Sequence, residues 1–105
     1  MVVELDFSEI QDLEGMHLLL KKKFGFPDFY GKNVNALIDC LSSLRYPEDG
    51  MTNIILRENE ILTLMIKSLD FKNPIIINHL FISICYVNQK YESFGKIPPI
   101  HVVLT

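Results

Sequence analysis

Three histidines and two cysteines are the first side chains of this 105-residue chain to consider as metal ligands or as catalytic groups. His17, His79 and His101 are widely separated and share no spacing that would place them around one metal ion. An isolated histidine is more often structural than catalytic. We therefore interpret all three as structural, and we expect His17 to be half exposed on its helix.

The cysteines also lack a chemical pattern. Cys40 and Cys85 form no Cys-x-x-Cys pair, so the spacing of a zinc site is absent. Cys40 with a distant histidine could be a nucleophile, but it follows Asp39 and has no neighbouring positive charge to stabilise a thiolate. We predict that both thiols are buried and reduced, and that the chain holds no metal and no cofactor.

One pair of carboxylates, Glu58 and Glu60, is close enough in sequence to share a proton-transfer role. Solubilising charge at the tip of a hairpin explains the same pair more simply. No glycine-rich phosphate-binding motif is present. The residues offer no argument for catalysis, so we predict a binding protein rather than an enzyme.

Composition and charge narrow the choice of partner. Apolar residues make up 49% of the chain and charged residues 22%, which is typical of one globular domain covering residues 1–105. Between residues 28 and 70, acidic residues outnumber basic ones by seven to four. This excess disfavours direct nucleic-acid binding and favours a basic protein partner, although an ordinary solvated surface explains the count equally well.

The chain carries no recognisable targeting segment. Its first residues have neither the basic start nor the apolar core of a signal peptide. No run reaches the ~18 apolar residues that a membrane span needs. Together with the unpaired cysteines, these features predict a cytoplasmic protein without membrane contact.

Hydrophobic periodicity predicts an α/β fold in the order β α α β β α β. The predicted elements are a strand at Val2–Phe7, helices at Asp12–Gly25 and Asn33–Leu44, strands at Thr52–Arg57 and Ile61–Lys67, a helix at Pro74–Phe94, and a strand at Ile100–Thr105. We expect the strands separated by helices to be parallel, and the two strands between 52 and 67 to form a β-hairpin. The apolar last strand should lie centrally in the sheet. The first half of the last helix is apolar nearly all round, which predicts deep burial or a self-association face.

A rigid loop leads into the second helix and offers a plausible docking surface. Pro27 fixes one backbone angle, Gly25 and Gly31 permit unusual ones, and Asn33 is a good helix N-cap. Apolar residues fall at 34, 37, 38, 41 and 44, which is helical spacing. The opposite helix face carries Asn35, Asp39, Ser42 and Ser43.

The run from Leu18 to Leu41 closely resembles the barstar family, the intracellular inhibitors of the ribonuclease barnase. Its family-like features are a Leu-Lys-Lys step, then proline, an acid, an aromatic residue and Tyr-Gly, followed by the pattern Asn-hydrophobic-x-Ala-Leu-x-Asp-Cys-Leu. After Leu44 the resemblance weakens to the order of elements and the apolar last strand. It implies a small sheet of three parallel strands with three main helices around it, to which this chain adds the hairpin.

The resemblance also implies a function and a site. Family members plug a nuclease active site with this loop and helix, offering an acidic surface to a basic cleft. By position, Phe29 matches an aromatic residue that contacts the enzyme, and Gly31 and Asn33 match the contacting loop. Asp39 matches a carboxylate that enters a phosphate-binding pocket, where it can replace a substrate phosphate among basic side chains. We therefore expect Asp39 to be exposed in the free protein.

Departures from the family pattern point to a different target. Asn35 stands where the family has a second acid, and Ile38 and Leu44 stand where it has tryptophans. Asn73 and Asn78 replace a further acid near the start of the last helix. We predict a toxin other than barnase. The predicted toxin-binding residues are Phe29, Gly31, Asn33, Asn35, Ile38, Asp39, Ser42 and Ser43. The Tyr46–Pro47 bond resembles a family bond that is cis, and both isomers are open.

Two functions follow from these features. The first is a monomeric, barstar-like inhibitor or immunity protein that occludes the active site of a basic ribonuclease-type toxin with residues 27–43. The alternative is a non-inhibitory interaction module or self-associating regulator on the same scaffold, suggested by the apolar start of the last helix. An enzyme is a distant third.

Overall fold

The computed structural model describes all 105 residues. The elements in chain order are β1 (Val2–Asp6), α1 (Leu13–Phe24), α2 (Val34–Ser42), a short 3-10 helix (Pro47–Asp49), β2 (Leu62–Lys67), α3 (Pro74–Ser93) and β3 (Ile100–Leu104). The strands form one parallel sheet in the order β1-β2-β3. The predicted α/β class, the three main helices and the parallel pairing are confirmed.

The helices begin at the predicted residues and end within two residues of them, since α2 ends at Ser42 and not at Leu44. The Asp12 side chain accepts a hydrogen bond from the Gly15 N–H at 2.8 Å, which satisfies a free amide in the first turn of α1. Gly25 ends that helix with a φ of 69°, a left-handed conformation that glycine adopts without steric cost. Asn73 caps α3, and Pro74 occupies its first turn.

One cluster of buried apolar side chains joins the sheet to all three helices. The central strand β2 contributes Leu62, Leu64 and Ile66, while Thr63 and Met65 on its other face are half buried. Helix α2 packs directly against α3. This contact fixes α2, the helix that carries most of the predicted binding residues.

The structure does not confirm the predicted hairpin. Residues 52–57 form no strand, although their burial alternates as the sequence suggests. Their backbone is bound elsewhere, because the Asn53 N–H donates to the Phe24 carbonyl and the Leu56 N–H donates to the Leu44 carbonyl, both at 2.7 Å. Strand β2 is flanked on both sides by β1 and β3, so it has no free edge for this segment. The segment instead ties together the ends of α1 and α2.

The expected central position of the last strand is wrong. β3 lies at an edge of the sheet, and His101 and Leu104 are exposed. Five apolar-rich residues are enough to form a strand, but they do not determine its place in the sheet. Of the two alternatives for the first half of α3, deep burial throughout is not observed, since Ile75 and Ile82 are each more than half exposed.

One further expectation and one open alternative have clear outcomes. Cys40 is buried as predicted, but Cys85 lies on the exposed side of α3, so the prediction of a second buried thiol is wrong. All peptide bonds are trans, including Tyr46–Pro47. None of the helices has the length and apolar character required to cross a membrane.

Candidate protein-binding site

Stacked aromatic rings hold the loop before α2. Phe26 is buried and lies 5.5 Å from the Phe24 ring and 4.8 Å from the Tyr30 ring, measured between centroids. The Tyr30 N–H donates to the Pro27 carbonyl at 3.0 Å and closes a turn. Phe29, inside this turn, is 77% exposed. The loop therefore presents one large ring to solvent on a base anchored in the core.

A buried histidine strengthens this anchor. His17 Nδ1 lies 2.6 Å from the Tyr30 hydroxyl, so the loop is hydrogen-bonded to α1. His17 is only 1% exposed, and the expectation that it would be half exposed is wrong because the loop covers it. Burial lowers the pKa of His17, and the nearby charges of His79 and Lys32 act in the same direction. The histidine is thus held neutral, and its Nε2 atom is buried without a partner.

Gly31 and Asn33 shape the entry into α2. The Asn33 side chain accepts a hydrogen bond from the Ala36 N–H at 2.8 Å and so caps the helix as predicted. A Cβ atom at Gly31 would lie 3.3 Å from Asn33 Nδ2 and 3.5 Å from Ala36 Cβ, which leaves little space for a side chain. Lys32, between them, pairs with Glu14 of α1 at 3.3 Å. Both predicted residues have a structural role, and their contact with a partner stays a prediction.

Helix α2 has a buried and an exposed face, and the exposed face is narrower than predicted. Leu37, Cys40 and Leu41 are buried, whereas Asn35 and Asp39 are exposed. The prediction that Asp39 is exposed is confirmed, and its carboxylate takes part in no hydrogen bond and no ion pair. Burial raises the pKa of Cys40 to about 11, and the Asp39 charge adds to the shift, so this thiol stays protonated at neutral pH.

The remaining predicted residues are less accessible. Ile38 is half buried against the core. Ser43 is buried, with its hydroxyl oxygen 3.1 Å from Asp49 Oδ2 and 3.3 Å from the Asp39 carbonyl oxygen. Ser42 is half buried, and its carbonyl accepts a 2.5 Å hydrogen bond from the Tyr91 hydroxyl. The two serines therefore join α2 to neighbouring elements rather than extending the exposed face.

Asp39, Ser42 and Ser43 do meet at a cleft that the sequence did not reveal. The cleft encloses about 630 Å³ between α2, the 3-10 helix and the end of α3. Asp49 lines it from the 3-10 helix, and Phe94 lines it just beyond the last residue of α3. Asp49 and Phe94 lie outside α2 in the chain, so periodicity along that helix could not place them beside Asp39. The other predicted residues lie outside its lining.

Known proteins are similar in sequence to this chain over about two thirds of its length. The family described as Barstar (barnase inhibitor) matches residues 1–70. A curated relative from Bacillus subtilis (strain 168), named "Putative ribonuclease inhibitor YrdF", is 33% identical over 72 residues. The aligned segment covers 69% of this chain but 65% of that relative. The family match includes the anchored loop and both faces of α2.

Proposed function

This chain belongs to the barstar family, and from that premise we propose that it binds a basic ribonuclease-type toxin and occludes the toxin's active site. The binding surface is formed by residues 27–43, which comprise the anchored loop and α2. The chain acts as one domain and as a monomer, in the cytoplasm, where its unpaired cysteines stay reduced. It neutralises the enzyme by binding and performs no catalytic step itself.

The observation that carries this proposal is the free carboxylate of Asp39. It is exposed on a helix fixed by packing against α3, and it forms no ion pair within the chain. A basic active site that binds phosphate can therefore take up this carboxylate without first breaking an internal ion pair. Phe29 supports the same surface, since a large exposed ring on a rigid loop loses little conformational freedom on binding.

The substituted positions favour a target other than barnase. Asn35 is exposed one helical turn before Asp39, at the place where the family resemblance calls for an acid. The chain therefore offers one negative charge fewer on this face to a basic cleft. A charge difference of this kind changes the binding free energy for one partner more than for another, and so it helps to select the partner.

Inhibition of ribonuclease activity tests the proposal directly. The full chain is titrated into a fluorogenic RNA assay containing either barnase or a basic nuclease encoded beside this chain's own gene. We expect stoichiometric inhibition of the neighbouring nuclease and weaker inhibition of barnase. If excess chain lowered the activity of neither enzyme, the proposal would be contradicted. Stronger inhibition of barnase would contradict only the predicted change of target.

One observation favours the alternative of a self-associating module. Ile75, Ile82 and Tyr86 lie on α3 and are 59%, 57% and 54% exposed. No residue from Asn73 to Gln89 is an acid, a lysine or an arginine, so this apolar face has no charges that oppose association. Sedimentation at high protein concentration decides the point, because a purely monomeric chain would remove this support.

A further inference from the structure

A second carboxylate without an ion pair lines the same cleft as Asp39. Asp49 is exposed at the end of the 3-10 helix, and its only side-chain hydrogen bond is to the Ser43 hydroxyl. Ser43 is itself buried, so it holds the Asp49 carboxylate toward the cleft from a fixed position. The lining of the cleft thus includes two carboxylates, supplied by two different elements.

The aromatic rings of the cleft differ in whether they are already occupied. The Arg45 guanidinium lies 5.2 Å from the centre of the Tyr91 ring, and the Lys96 ammonium lies 5.3 Å from the centre of the Tyr46 ring. Phe94 carries no such cation and is 70% exposed. An incoming planar cation therefore finds one ring without a bound cation, in a lining that also carries two carboxylates without an ion pair.

Building on the proposed function, we propose that this cleft receives an arginine side chain of the partner protein. Asp39 and Asp49 accept hydrogen bonds from the guanidinium, and the Phe94 ring stacks against its plane. Arginine fits better than lysine because its planar group donates to carboxylates in a fork and stacks on a ring at the same time. Asp49 then supplies, from the 3-10 helix, the second negative charge that Asn35 does not supply from α2.

The cleft also contains a feature that opposes a cation. Lys90 lines the α3 side, and its ammonium has no hydrogen bond or ion pair. Lys96 also lines the cleft, and its ammonium keeps its positive charge while it donates to the Tyr46 hydroxyl at 2.7 Å. The proposal therefore makes opposite predictions for the two sides. Neutralising Asp49 weakens binding of an arginine, whereas neutralising Lys90 leaves binding unchanged or strengthens it.

Charge-neutral variants in the full chain test this assignment against the neighbouring nuclease. Asp49→Asn keeps the acceptor for Ser43, and Phe94→Ala removes the exposed ring. We expect each to raise the Kd on the order of tenfold or more. Glu48→Gln is the matched control, because it removes the same charge one residue away, outside the cleft lining, and should change the Kd less than about twofold. Weaker binding with Lys90→Gln and unchanged binding with Asp49→Asn would show that an acidic group occupies the cleft, and would overturn the proposal.

A small probe separates this inference from the proposed function. N-acetyl-arginine-methylamide is titrated into the ¹⁵N-labelled chain, with the lysine and norleucine analogues as controls. We expect only the arginine compound to shift the backbone signals of Asp39, Asp49 and Phe94, and Asp49→Asn to reduce the shifts. Arginine-specific shifts without nuclease inhibition would uphold the cleft and overturn the inhibitor function. Nuclease inhibition that is insensitive to Asp49→Asn, without arginine-specific shifts, would uphold the inhibitor function and overturn the assignment of the cleft.

Discussion

Replacing Tyr30 by phenylalanine removes one oxygen atom from the anchor beneath the proposed binding loop. The lost hydroxyl lies 2.6 Å from His17 Nδ1. His17 Nε2 is already buried without a partner, so the variant leaves both ring nitrogens unsatisfied. A hydrogen bond contributes about 1 kcal/mol net, but removing one partner so that the other stays buried and unsatisfied costs about 1–3 kcal/mol in all. We expect Tyr30→Phe to lower the free energy of unfolding by about 2 kcal/mol.

Urea unfolding followed by circular dichroism at pH 7.5 measures this loss. Tyr86→Phe is the matched control, because that tyrosine is 54% exposed and makes no hydrogen bond. It should change stability by less than about 0.5 kcal/mol. The double variant His17→Leu/Tyr30→Phe should be less destabilised than the two single variants added together, since it leaves no polar atom unpaired. Equal stabilities of Tyr30→Phe and Tyr86→Phe would refute the reasoning.

Three further predictions concern the cap of α2, the buried histidine and the two cysteines. Asn33→Ala should cost about 1 kcal/mol of stability in urea unfolding, because it removes the cap of α2, whereas Asn35→Ala removes no hydrogen bond and should cost less than half as much. Burial lowers the pKa of His17 below its usual 6.5, so the unfolded chain takes up the proton first. Stability should therefore fall as the pH drops below 6.5, and His17→Leu should flatten that part of the profile; a wild-type profile equally flat would contradict the pKa shift. A thiol reagent should label Cys85 rapidly in the native protein and Cys40 only after unfolding, as read by mass spectrometry, and equal labelling rates would show that Cys40 is not protected.

Local signals predicted the three helices and three of the four strands, because these elements are encoded by adjacent residues. Asp12 and Asn33 bind the first free amides of their helices, and Gly25 takes the left-handed angle that ends α1. The exposure of Asp39 was likewise predictable, since it follows from the apolar spacing along α2. These features depend on interactions within a few positions of the chain.

Interactions between distant segments were not predictable in this way. Residues 52–57 have the alternation of a strand, but Asn53 and Leu56 are bound to carbonyls at the ends of two helices. His17 is buried because a loop 13 residues later covers it and bonds to it. The cleft beside Asp39 depends on Phe94, which packing brings near α2 from the other end of the chain. Long-range packing of this kind leaves no periodic signal in the sequence.

The most direct test of the central claim is the affinity of Asp39→Ala for the neighbouring nuclease. Isothermal titration calorimetry would compare this variant with the wild-type chain and with Glu9→Ala, which removes an exposed acid in the connection between β1 and α1. We predict a loss of at least about 2 kcal/mol for Asp39→Ala, equivalent to about a thirtyfold rise in Kd, and almost none for Glu9→Ala. Unchanged affinity and unchanged inhibition with Asp39→Ala would contradict the assignment of this carboxylate as the centre of the binding surface.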